Sequence, residues 1–136
     1  MARSSDQFQG SISRGVVMSA LYEILVVLHF IGMAGLVGGL LVGISEKPLR
    51  IKVAALHSGL LVLLAGIFLI IVNSIQHAKD ERVELLNHSK LGVKLLVVIA
   101  ILILGFLNMK KDHVSKQIYF SIFGLALANI VIAVIW

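Results

Sequence analysis

Leu21–Gly43, LYEILVVLHFIGMAGLVGGLLVG, decides how the rest of this chain is read. About 20 helical residues rising ~1.5 Å each cross the ~30 Å hydrocarbon core of a bilayer, and this stretch is long and apolar enough to do so. It also carries a carboxylate (Glu23), an imidazole (His29) and a row of glycines, none of which a plain anchor requires. Such residues inside an apolar helix ask for partners.

Three further apolar runs lie downstream, Ile51 to Asn73, Leu91 to Asn108 and Ile118 to Trp136. Spans at about 20–44, 51–73, 90–109 and 117–136 predict an all-α membrane protein, four transmembrane helices in an antiparallel up-down bundle. Residues 1–19, with Ser4, Ser5, Gln7, Gln9, Ser11 and Ser13, read as a polar N-terminal tail on the membrane surface, and 20–136 as the transmembrane domain. The first apolar run exceeds the ~7–15 residues of a signal-peptide core and has no Ala-x-Ala exit, so the first helix is expected to be retained.

Composition agrees. Hydrophobic residues make up 59% of the chain and charged ones 14%, against roughly a quarter charged in soluble domains. The absence of cysteine excludes disulfides, Cys-ligated zinc and iron–sulfur clusters. The formal charge of +5 comes from short basic clusters beside apolar runs, which suits anionic lipid headgroups rather than nucleic acid.

The connections set topology. Ile44 to Arg50, with the only proline (Pro48), is short enough to force an antiparallel hairpin, and Lys110 to Lys116 is short and basic. The middle connection, SIQHAKDERVELLNHSK (74–90), lacks Gly and Pro and is expected to continue as helix. Lys47, Arg50, Lys52, Lys110, Lys111 and Lys116 face Arg3, Arg14, Lys79, Arg82 and Lys90 across the bilayer; six against five places both termini outside.

Gly32, Gly35, Gly39 and Gly43 fall within an arc of about 80° on a helix, and Ala55, Gly59, Gly66 and Asn73 make a similar face on span two. Small faces let helices approach closely, either within the bundle or against another subunit or a flat cofactor. Glu23 and Lys94 each cost about 2.5–3.5 kcal/mol if isolated in hydrocarbon, and their matched depth predicts an ion pair between spans one and three, or a proton or ion path. Glu23 itself points about 165° from the glycine stripe. His29 and Asn129 lie near the midplane and His57 about two turns in, depths at which the three can meet in the interior, although His57 projects opposite the small face of its own helix. They suit a hydrogen-bonded structural role, a proton relay, or haem b held by His29 and His57. In a helical middle connection His77, Glu81, Glu84 and His88 fall within about 60° of one another, a solvated face or a weak metal site; His77 and His88, about 16 Å apart, cannot share one ion without a bend. No nucleophile–base constellation, phosphate-binding glycine loop or paired-carboxylate site is present, which points away from catalysis.

The segments YEILVVLHFIGMAGLVGGLLVG, AALHSGLLVLLAGI and NHSKLGVKLLVVIAILIL together resemble small four-span integral membrane proteins of actinobacteria. Proteins of this size occur as accessory subunits of the cytochrome bc–cytochrome oxidase supercomplex, so the resemblance implies a non-catalytic accessory subunit in a bacterial plasma membrane, packing against larger respiratory subunits. A fainter likeness runs to four-span haem or copper proteins of the protoporphyrinogen-oxidase and copper-resistance type, through His29 and the pair Gly38 and Gly39; the tryptophans of that type are missing, the only Trp being Trp136. The expectation is therefore an accessory subunit with no cofactor. The alternatives are a haem- or metal-binding redox protein using His29 and His57, and a small proton-coupled transporter relying on Glu23, Lys94 and His29.

Overall fold

The computed structural model describes residues 2–82, 84–85 and 87–135, with side chains from Ser4 onward except that of His88. Four helices make up the fold: α1 (Ala2–Gly43), α2 (Val53–Lys79), α3 (His88–Asn108) and α4 (Lys116–Ile135). Each is long and apolar enough to cross a membrane, as the four apolar runs predict. The helices pack in a ring, α1 on α2, α2 on α3, α3 on α4 and α4 on α1, so α1 and α3 lie across one diagonal and α2 and α4 across the other. The protein is thus a four-helix bundle of integral-membrane type, wrapped in apolar surface suited to lipid.

Two elements differ from the sequence reading. The polar segment 2–19 is the first part of α1, which continues without a break through span one. Its 42 residues extend about 63 Å, twice the hydrocarbon thickness, so the helix projects beyond the bundle. The middle connection is not one helix either. α2 persists to Lys79, where Asp80 takes an extended conformation and stops it; the Asp80 carboxylate accepts hydrogen bonds from the Arg82 backbone N–H (3.1 Å) and from Arg82 Nε (3.2 Å). α3 restarts behind Asn87, whose side-chain oxygen accepts from the N–H groups of Ser89 (3.0 Å) and Lys90 (3.2 Å). Asp and Asn satisfy orphan backbone groups at breaks as Gly and Pro relieve strain, so a segment without Gly or Pro still has two punctuation marks.

The glycine stripe of α1 packs inside the bundle. A Cβ on Gly32 would come within 2.9 Å of Val62, one on Gly35 within 2.9 Å of the Ser58 Cβ, and one on Gly39 within 2.9 Å of the Ala55 Cβ. Gly43 lies against Tyr119 of α4. The face of α2 is used in the same way, Gly59 receiving Leu102 and Leu36, and Gly66 receiving His29. These residues join helices of one chain, so they do not offer a smooth face to another subunit.

The two halves of the bundle are packed differently. Leu36, Leu40, Ile51, Leu56, Ile101, Val114, Tyr119, Ile122 and Ala126 form a tight core toward the first and third connections. There the connections are bonded to each other: Val114 N–H donates to Leu49 O (2.7 Å) and Arg50 Nε donates to Asp112 O (2.8 Å), while Lys52 pairs with Glu46 at 2.8 Å. Tyr119 donates its hydroxyl to Leu40 O, one of the last four carbonyls of α1, which have no partner within the helix. At the opposite end no connection joins α1 to α4, and the centre of the bundle is open.

Candidate functional site

That opening is a cavity of about 210 Å³ to which all four helices contribute. α1 supplies Tyr22, His29 and Met33; α2 supplies Val62, Leu63, Gly66, Leu69 and Ile70; α3 supplies Leu91, Lys94, Leu95 and Val98; α4 supplies Asn129 and Ala133. Four polar side chains therefore converge within apolar walls, the general character of a small-molecule site.

His29 is placed by the absence of a side chain. Gly66 leaves the α2 backbone uncovered, and a Cβ there would stand 3.6 Å from the His29 ring. His29 Nδ1 reaches Val62 O at 3.1 Å. A carbonyl can only accept, so Nδ1 carries a proton and donates it to Val62 O. Asn129 is 4% exposed, and its Oδ1 is buried without a hydrogen-bond partner. Lys94 is half-buried and forms no ion pair among the described residues. The cavity is thus lined by the Lys94 ammonium and by the His29, Asn129 and Tyr22 side chains.

The structure rearranges the polar set expected from sequence. His29, Lys94 and Asn129 come together; Glu23 and His57 do not join them. Glu23 lies exposed on the outer side of α1, away from the cavity in which Tyr22 and His29 of the same helix meet Lys94, so its expected ion pair with Lys94 is not formed. Equal depth places two residues on one level without deciding which helices are neighbours. His57 is exposed on α2, about 180° round the helix from Gly66, where His29 packs. The three-residue meeting of His29, His57 and Asn129 is therefore not made. Nor do the two imidazoles face one another as axial ligands of haem within one chain.

The metal-binding face of the middle connection is also not built. His77 lies in α2, whereas Glu81 and Glu84 lie exposed in the break after it, and the His88 side chain is outside the described set. Among the described residues no group of three His, Asp or Glu side chains is arranged to hold a metal ion. Asn73, read as part of a small-residue face, instead donates from Nδ2 to Glu84 O (3.1 Å) and ties this connection to α2.

Tyr22 escaped the sequence reading, although its spacing of seven from His29 puts both within about 20° on α1. Tyr119 escaped it too, because a hydroxyl near the start of a span reads as an interfacial tyrosine until the neighbouring helix end is known. Comparison with known protein families, characterised proteins and solved structures finds no match to this chain.

Proposed function

We propose that this protein is a non-catalytic integral membrane protein that takes a small molecule from the bilayer into the polar cavity of its bundle. The observation that carries the reading is the cavity itself, in which Tyr22, His29, Lys94 and Asn129 are gathered between apolar walls from all four helices. Polar side chains held between apolar walls cost about 1–3 kcal/mol each when left without a hydrogen-bond partner, and a ligand that bonds to them offsets that cost. Native mass spectrometry of the chain released from its own membranes in a neutral detergent tests this. A retained small molecule that disappears in Asn129→Leu and Lys94→Met is the expected result; the bare chain in wild type overturns the reading.

A second reading is an accessory subunit that packs against larger membrane proteins, of the respiratory chain by the resemblance of the sequence. It no longer draws support from the glycine stripe. Its support is the projecting part of α1, where Phe8, Ile12 and Val16 form a stripe at four-residue spacing, each more than half exposed. Large respiratory subunits co-purifying in mild detergent, and lost on Phe8→Ser with Ile12→Ser, are the outcome that this reading requires.

A further inference from the structure

A second pocket, of about 610 Å³, lies at the open end of the bundle between the projecting part of α1 and the end of α2. α1 contributes Arg14, Ser11 and Ser19, α2 contributes Lys79 and Gln76, and the break after α2 contributes Asp80 and Arg82. It shares no lining residue with the cavity at His29, so what it binds is independent of the ligand-binding reading above.

Charge sets its character. Three cations and one carboxylate line the pocket, and the carboxylate is already engaged, Asp80 accepting from the Arg82 backbone N–H and from Arg82 Nε. Arg14 and Lys79 form no ion pair among the described residues. The carboxyl end of α2 adds about half a negative charge, too little to offset two unpaired cations. The pocket is therefore positive. A guanidinium fork, an ammonium, hydroxyls and an amide are donors suited to a tetrahedral oxyanion, the Arg gripping two oxygens and the Lys acting as a point charge.

Depth selects the source of that anion. Lys79 lies about 39 Å along α2 from Val53, and Arg14 about 44 Å along α1 from Gly43. A bilayer with its headgroups is about 40–45 Å thick, so both residues come out in one headgroup layer when the opposite helix ends lie in the other. Lipid phosphates occupy that layer. We infer that this pocket binds the phosphate of an anionic phospholipid, held between Arg14 of α1 and Lys79 of α2. The positive pocket favours a headgroup with no cation of its own, such as phosphatidylglycerol, over the choline-bearing kind.

The test is native mass spectrometry of the purified full chain in neutral maltoside, titrated with dioleoylphosphatidylglycerol or dioleoylphosphatidylcholine. An ionic strength near 0.15 M limits diffuse attraction to roughly 8 Å. Wild type is compared with Arg14→Gln/Lys79→Gln and with Lys110→Gln/Lys111→Gln, which removes the same charge at the other end of the bundle, and circular dichroism checks folding. Each cation beside anionic lipid is worth about fivefold, so two give more than tenfold. The first equivalent of phosphatidylglycerol should therefore bind wild type at least tenfold more tightly than phosphatidylcholine. The pocket variant should lose that advantage, and the loop variant should keep it. Equal binding of the two lipids to wild type overturns the inference, and this comparison does not depend on any variant folding. Phosphatidylglycerol binding that is unchanged in the pocket variant, or equally weakened in both variants, overturns the placement at Arg14 and Lys79. Displacement of the lipid by 1 mM inorganic phosphate, with phosphate retained by the chain, assigns the pocket to the free anion and overturns the lipid.

Discussion

Tyr119 shows how much one hydroxyl does in this bundle. It is 1% exposed and gives its proton to Leu40 O, an α1 carbonyl beyond the reach of helical hydrogen bonding. Tyr119→Phe keeps the ring and removes the hydroxyl that bonds Leu40 O and lies against Gly43. Interhelical hydrogen bonds in membranes average about 0.6 kcal/mol and reach about 1.7 kcal/mol, so the variant should lose stability within that range when unfolding is followed by circular dichroism in mixed micelles. Asp80 is the corresponding residue outside the membrane. The Arg82 backbone N–H bound to its carboxylate, helped by the Arg82 side chain, holds its pKa below the ordinary carboxylate value. Because the folded pKa is depressed, what the contact adds to stability is present above the unfolded pKa of about 3.9 and is lost as pH falls through the folded value. Titration of the Asp80 carboxyl by NMR should give a midpoint below the ordinary carboxylate value, and Arg82→Gly, which removes the side-chain part of the contact, should raise it.

At the scale of elements, the pairing of α1 with α2 depends on glycines that lie on one side of α1 only. Gly39 faces the Ala55 Cβ, whereas a Cβ on Gly38, the next residue, meets nothing within 4 Å. Gly39→Leu should therefore push α2 away and cost about 2 kcal/mol or more through overpacking. Gly38→Leu, on the open side, should be neutral or slightly stabilising, since it removes the conformational freedom of a helical glycine. The same unfolding measurement applied to both variants separates packing from helix propensity; equal losses would show that the stripe is not an interface. The break between α2 and α3 belongs to this scale as well. It arises from two short polar side chains, Asp80 and Asn87, that bond to nearby backbone in place of a continued helix.

Taken whole, the molecule is a bundle closed at one end and open at the other. The closed end has two short connections bonded to each other across the loops; the open end has the projecting α1, the longer α2–α3 connection and the end of α4. Four crossings put the chain's two ends on one side and the first and third connections on the other. The chain has no native cysteine, so single cysteines at Ser5 and Asp112 give an uncluttered test. In sealed vesicles of one orientation, a membrane-impermeant thiol reagent should label one of these positions and spare the other; labelling of both from the same face would exclude four crossings.

The sequence by itself determined that there are four membrane-length helices and roughly where they lie, because apolar runs of sufficient length have no other stable form in a bilayer. It also marked His29, Lys94 and Asn129 as out of place in hydrocarbon, since their cost is a property of residue type and depth. The tertiary structure decided who their neighbours are. Helical periodicity gives the direction of a side chain about its own axis, but the order of helices around a bundle is set by interhelical packing. That packing turns Glu23 and His57 outward and spends the glycine stripe inside the chain. It also brings Tyr22, His29, Lys94 and Asn129 from three helices around one cavity, which exists only once those helices are packed together.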